Sequence, residues 1–197
     1  MAFLYLIRHP KTQPDAALPA SQWRLSDEGH KQVRDLVAAA FWDGVAAVYT
    51  SQEYKTTAVG EAVLAAHGVT HIAVQELGEA QRDQWVAGDQ FYAAQASFFS
   101  RPDVSPIPSW ESAAQARERF VQAMDAVLSR HPRSQSLAVV SHATVLTLYV
   151  AHLFRETPSF AQWQKLGFAE VMAVDRAALH PITPFLAAPY DGLPYRP

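Results

Sequence analysis

The sequence predicts an α/β protein with a mostly parallel sheet. Three observations carry this: short apolar runs of strand character, helical segments between them, and abrupt polar exits where those runs end. The first run, Phe3-Leu4-Tyr5-Leu6-Ile7, is followed at once by Arg8, His9 and Pro10, residues that a strand interior disfavours. Val45 to Ser51 forms the second run and leaves into Gln52, Glu53, Tyr54 and Lys55. His71 to Glu76 is a third strand, polar enough to lie near an edge, and Leu137 to Ser141 a fourth that delivers His142. Phe168 to Val174 reads as the last strand.

The connections carry helical signals. Ser26 is an N-cap with Asp27 and Glu28 in the first turn, and Val33, Leu36, Val37 and Ala40 share a face, which predicts a helix to about Trp42. A second helix runs from about Glu53 to His67 and stops at Gly68. A third covers Glu111 to Arg130, with Ala116, Phe120, Ala123, Met124, Val127 and Leu128 on or near one face, and a fourth runs from about Thr144 to Phe154. Residues 11–24, with Pro14 and Pro19, read as a long loop. The segment of about 80–110 mixes Trp85, Phe91, Tyr92, Phe98 and Phe99 with prolines and is expected as a short helical insertion over the end of the sheet. The tail of about 181–197 holds five prolines and is expected to be extended.

Composition narrows the function. The chain has 197 residues, 49% hydrophobic and 18% charged, enough for one well-buried domain over 1–197. A net charge of −3 gives no footprint for nucleic acid, and no run of like charges suggests a membrane patch. There is no cysteine, so disulfide and thiolate chemistry are excluded. No apolar run approaches the roughly 20 residues of a membrane span, and no basic segment precedes an apolar stretch at the N-terminus, so a cytoplasmic protein is the expectation. A homodimer is left open.

Three strand-like runs thus end in residues that can engage phosphate: Arg8 and His9, Lys55 one turn beyond the second, and His142. If the strands are parallel neighbours, these four side chains converge on one sheet edge, where open α/β sheets bind ligands. His30, His67, His71, His131, His152 and His180 lie outside this pattern and read as surface or core residues. H-E-x-x-H, G-x-S-x-G, G-x-x-x-x-G-K and G-x-G-x-x-G are absent, so nothing points to a metal or a nucleotide cofactor.

These residues resemble the histidine phosphatase superfamily, also called phosphoglycerate mutase-like. Arg8-His9 with Thr12 is similar to its R-H-G-x-T signature, Leu25 to Gln32 to its L-T-x-x-G-x-x-Q helix start, and Val48 to Ser51, followed by Lys55 and then Glu61, to its S-S-x-x-x-R segment. Leu77-x-Glu79 resembles the L-x-E that bears the acid, Glu111-Ser112 with Arg119 a G-E-S helix start, and Val139 to His142 its V-V-S-H-G. The resemblance covers residues 3–150 and implies a three-layer α/β/α sandwich. It also implies a phosphatase for small phosphomonoesters that needs no metal or other cofactor. In that scheme His9 is the nucleophile, Arg8, Lys55 and protonated His142 hold the phosphoryl oxygens, and Glu79 is general acid and then base, its pKa raised by an aromatic lid. Thr12 and Ser51 are candidates for auxiliary phosphate hydrogen bonds, with turn or capping roles equally open. Pro10, Lys55, Ala143 and Asp15 depart from the family pattern and make a weak phospho-ligand-binding member the alternative, with a phosphomutase third. Trp23, Trp85, Phe91, Tyr92 and Trp110 are candidates either for an aromatic wall or for ordinary core.

Overall fold

Alternation along the first strand builds two hydrophobic layers at once. Phe3, Tyr5 and Ile7 point to one side of the sheet, and Leu4 and Leu6 to the other, because successive strand side chains face opposite ways. The computed structural model describes residues 1–83, 86 and 88–195, and among these it contains five strands. They are β1 (Phe3–Arg8), β2 (Val45–Thr50), β3 (Thr70–Ala73), β4 (Ser136–Ser141) and β5 (Val171–Asp175). The helices are α1 (Asp27–Val37), α2 (Tyr54–His67), α3 (Gly88–Ser100), α4 (Ala113–Ser129), α5 (Ala143–Phe154) and α6 (Phe160–Lys165).

The sheet order is β3-β2-β4-β1-β5, with β5 antiparallel to β1 and every other neighbouring pair parallel. On one face Leu36 of α1, Val59 and Val63 of α2, and Phe41 and Trp42 pack against the sheet. On the other, Phe120, Met124 and Val127 of α4 and Val145, Leu146 and Tyr149 of α5 do so. This is the three-layer α/β/α arrangement. Leu4, Leu6 and Ile7 are fully buried, each contributing about 1.5–3 kcal/mol by transfer from water. That burial pins β1 between β4 and β5, and Arg8 pairs with Ser141 at the same edge where β2 ends in Thr50. The carboxyl ends of β1, β2 and β4 therefore lie side by side.

Several boundaries differ from the sequence reading. The first helix stops at Val37 rather than near Trp42, and Ala40–Trp42 forms a separate 3-10 turn that folds Phe41 and Trp42 under the sheet. Burying two aromatics there requires the chain to turn inward, which a continued helix would not do. The third strand spans only Thr70–Ala73, at the edge, because Gln75–Leu77 turns as 3-10 toward Glu79. A 3-10 turn at Ala20–Gln22 interrupts the 11–24 loop, and α6 lies where no helix was expected. The last strand begins at Val171, after the turn that carries Phe168. The tail forms no helix or named strand among the described residues, in keeping with a loop-like segment, but it is docked: Pro181 and Leu186 bridge to β5, and Tyr190 and Leu193 are buried in the core. Of the expected aromatic residues, Trp85 lies outside the described residues. No helix among them is long and apolar enough to cross a membrane.

Ser26 caps α1 by accepting from the Gly29 amide, and the Ser26 amide donates to the Lys11 carbonyl. The loop leaving β1 is thereby pressed onto the first turn of the helix. A Cβ at Gly29 would come within 2.0 Å of the Lys11 carbonyl oxygen. Gly29→Ala is expected to cost about 1–3 kcal/mol, as overpacking usually does, and to lower the Tm by several degrees. Thermal unfolding checks this; an unchanged Tm would contradict the close approach.

Candidate active site

Where β1 ends, the peptide groups are already committed. The Arg8 amide donates to Glu170 and the His9 amide to Ser141, so both side chains are delivered from a fixed backbone. His9 Nδ1 lies 2.8 Å from the Pro10 carbonyl, which can only accept, so Nδ1 carries the proton and Nε2 is left with its lone pair. The ring is buried, and burial together with the charges of His142, Lys55 and Arg8 holds its pKa well below the usual histidine value. His9 is therefore neutral. Pro10 offers no amide to a phosphate, but its carbonyl supplies the bond that selects the His9 tautomer.

Arg8 reaches under this ring, donates to the Leu166 carbonyl and lies 3.8 Å from the centre of Phe168. Burial lowers its pKa to about 10, with Glu79 and Glu170 acting the other way, so it remains a cation at neutral pH.

His142, the N-cap residue of α5, packs with its ring centre 5.2 Å from that of His9. Its Nε2 lies 2.8 Å from the Ser51 hydroxyl and 3.3 Å from Glu53 Oε1, while Nδ1 is buried without a partner. Burial brings its pKa down to about 4, although Glu53 and Glu79 oppose this. The expectation of a protonated His142 is thus corrected for the free protein, where a neutral ring lies beside the Glu53 carboxylate. Ser51 is fully buried behind His142 and does not line the cavity; its hydroxyl is engaged with His142 and Thr56 and accepts from the Glu53 amide, which is the turn or capping role of the two left open for it.

Lys55 projects from the first turn of α2, and its ammonium is 2.5 Å from Glu53 Oε2 and 2.7 Å from the Ala20 carbonyl. Glu53 also accepts from the Glu79 amide at 3.4 Å. Burial disfavours its charge, but His142 and Lys55 outweigh this and hold its pKa at about 2. The sequence reading missed Glu53. Its signal was a carboxylate two residues before Lys55 at a helix start, with no hint of the distant histidine it would meet.

Glu79 sits in the mouth of α5. Its carboxylate accepts from the amides of Ala80 at 2.9 Å, Thr144 at 3.2 Å and Val145 at 3.3 Å. Burial pushes the pKa up, as expected, but Arg82, His142 and those amides prevail and the net shift is downward. The expected raised pKa is corrected accordingly. The loop carrying Glu79 is braced by Arg119, which donates to the carbonyls of Glu76, Gly78 and Glu79 and pairs with Glu111 at 2.8 Å. Arg82, also missed, donates to the Thr144 hydroxyl at 3.0 Å and lies over Phe91 and Trp110.

Arg8, His9, Thr12, Lys55, Glu79 and His142 line one cavity of about 530 Å³, a size suited to a small ligand. Asp15 is turned away: it is exposed and accepts from the Ala17 amide. Trp23, Phe91 and Tyr92 wall the cavity, as do Trp163 and Phe168, which were not anticipated, whereas Trp110 is buried behind them.

Residues 4–181 match the family model of the histidine phosphatase superfamily (branch 1), and the chain belongs to that superfamily. Among solved structures it is similar to a putative alpha-ribazole-5'-P phosphatase from Escherichia coli, at 21% identity and TM-score 0.74 over 96% of this chain and 98% of that one. It is similar also to an Entamoeba histolytica phosphoserine phosphatase variant in complex with phosphoserine, at 16% identity and TM-score 0.73 over 94% and 96% of the two chains. A mycobacterial glucosyl-3-phosphoglycerate phosphatase complexed with VO3 matches at 15% identity and TM-score 0.73 over 92% and 96%. At these identities the likeness establishes a shared fold. No curated protein matches the chain.

The two buried imidazoles set a pH dependence. An unfolded histidine binds its proton near pH 6.5, whereas folded His142 does so only near 4 and His9 also well below its usual value. Between those limits the folded state binds fewer protons, so stability falls as pH drops from about 6.5 toward about 4. Nitrogen-resolved NMR at pH 6 is expected to show both rings neutral, with His9 protonated on Nδ1. An imidazolium signal from either ring at that pH would contradict this electrostatic account.

Proposed function

We propose that the chain is a phosphomonoesterase that works through a phosphohistidine on His9, without a metal. The observation that carries this is the neutral His9 ring, fixed by Pro10 so that Nε2 is the free nitrogen, beside Arg8, Lys55 and His142. A family match over residues 4–181 and phosphatases among the similar structures support the same reading.

In the first step Nε2 donates its lone pair to phosphorus as the bond to the ester oxygen breaks. Arg8 and Lys55 neutralise the equatorial oxygens, where negative charge is spread in the transition state. A phosphate dianion beside His142 favours the charged ring, and Nδ1, unpartnered in the free protein, then becomes a donor to the phosphoryl group. Ser51 and Glu53 hold the opposite nitrogen and fix the ring's orientation. Glu53 also spaces Lys55, so it is a positioning residue for two of the phosphate's partners.

Glu79 is the acid and base of the scheme. Its carboxylate is ionised in the free protein, ready to take a proton from water as that water attacks the phosphohistidine, the Nε2–P bond breaks with its electron pair returning to Nε2, and inorganic phosphate is released. As an acid it must first gain a proton, which the like charge of the arriving dianion favours. The enzyme therefore leans on leaving groups that depart with little help.

His9→Ala is expected to abolish hydrolysis of an aryl phosphate, a loss on the order of a thousandfold or more, with full wild-type activity in the presence of chelator. Activity indifferent to His9 would remove the phosphohistidine route and favour a phospho-ligand-binding module. Glu79→Gln is expected to lower kcat/KM, which reports transfer to His9 alone, on the order of a hundredfold or more for alkyl esters and much less for aryl esters, since a good leaving group needs no proton. An equal loss of kcat/KM for both classes would argue against Glu79 as the proton donor.

A further inference from the structure

On the reading that this cavity takes a phosphomonoester, we infer that the leaving group carries a flat aromatic or heteroaromatic ring. It would lie against the aromatic surface that α3 and α6 together bring over the phosphate end. Phe91 and Tyr92 come from α3, Trp163 from α6, and Trp23 from the loop after β1. Ring centres of Phe91 and Trp163 are 6.0 Å apart and those of Tyr92 and Trp163 are 6.3 Å apart, so two segments distant in the chain form one aromatic surface. Phe168 continues that surface down to Arg8 and His9.

Exposure separates these rings from ordinary core. Phe98, Phe99 and Trp110, on the same capping segment, are 1–5% exposed and serve packing. Trp23, Phe91, Trp163 and Phe168 are only partly buried and Tyr92 is 51% exposed, yet all five wall the cavity. Apolar faces held open around a cavity mark a ligand surface, and offset or edge-on ring pairs give it geometric selectivity.

The charges on that wall argue in the same direction. An alcohol bearing a carboxylate would need a cation near Glu79, and among the described residues lining the cavity Arg82 is the one cation on that side. Its guanidinium donates through one terminal nitrogen to the Thr144 hydroxyl, lies over Phe91 and Trp110, and is balanced by Glu79, and the group is buried behind those rings. A second anion there would be brought up to the ionised Glu79, whose charge already offsets Arg82, whereas an uncharged ring meets the aromatic faces without that repulsion.

Calorimetry on His9→Ala compares binding of 1-naphthyl phosphate with O-phosphoserine, and wild-type kcat/KM is measured for the same two esters. The naphthyl ester is expected to bind at least about tenfold more tightly, and Trp163→Ala and Phe91→Leu are each expected to bring the two within about threefold. Equal affinities, or a preference for phosphoserine, overturn the inference; so does a naphthyl preference that survives both substitutions. Failure of the phosphatase reading looks different. Preferential naphthyl binding without wild-type turnover leaves the ring seat standing and removes the hydrolysis, while turnover with equal affinities does the reverse.

Discussion

The site depends on one hydrogen bond, from His9 Nδ1 to the carbonyl of Pro10. A neutral imidazole can present either nitrogen, and this bond decides which. It forms because the chain leaves the sheet at Arg8 with the His9 amide already tied to Ser141 of β4, so the ring and the next carbonyl are held in fixed relation. The fixity comes from the core: β1 is flanked by two strands, and its side chains are buried on both faces. Packing, register and tautomer are successive links in one chain of causes.

Around His9 the charges are balanced in pairs. Glu53 answers Lys55 and touches His142, and Glu79 answers Arg82 at the N-terminus of α5. Arg8 is held among carbonyls and an aromatic face, with Glu79 and Glu170 as its more distant counter-charges. Burying cations and acids together avoids the cost of isolated charges, while burial and the nearby cations Lys55 and Arg8 keep both imidazoles neutral until an anion arrives. In the proposed reaction the phosphate is that anion. Its charge is what turns a resting, neutral His142 into a donor, so the protonation state is set by the ligand rather than by the free protein.

Much of this was legible in the sequence because it rests on local signals. The strand runs, the Ser26 cap, the stop at Gly68 and the edge position of β3 follow from periodicity and capping, and the structure has them all. The convergence of Arg8, His9, Lys55 and His142 followed from parallel topology. What escaped depends on tertiary contact. Glu53 and Arg82 matter through partners far along the chain, and the downward shift at Glu79 arises from Arg82 and His142 together with the amides of Ala80 and Thr144, the last of them 65 residues away. The α6 helix did carry a local sign, the Ser159 and Gln162 capping box, but its six residues are too few for periodicity to declare. The end of α1 at Val37 was set by burial of Phe41 and Trp42, which no helical repeat encodes.

The central claim is that His9 reacts through Nε2 because Pro10 holds Nδ1. Rapid quenching of wild-type protein with an aryl phosphate under non-acidic conditions, followed by peptide mass spectrometry and phosphorus NMR, tests it directly. The account predicts a single phosphorylated peptide containing His9, with phosphorus on Nε2. Phosphorus on Nδ1, on another residue, or on none while the ester is still consumed would contradict it.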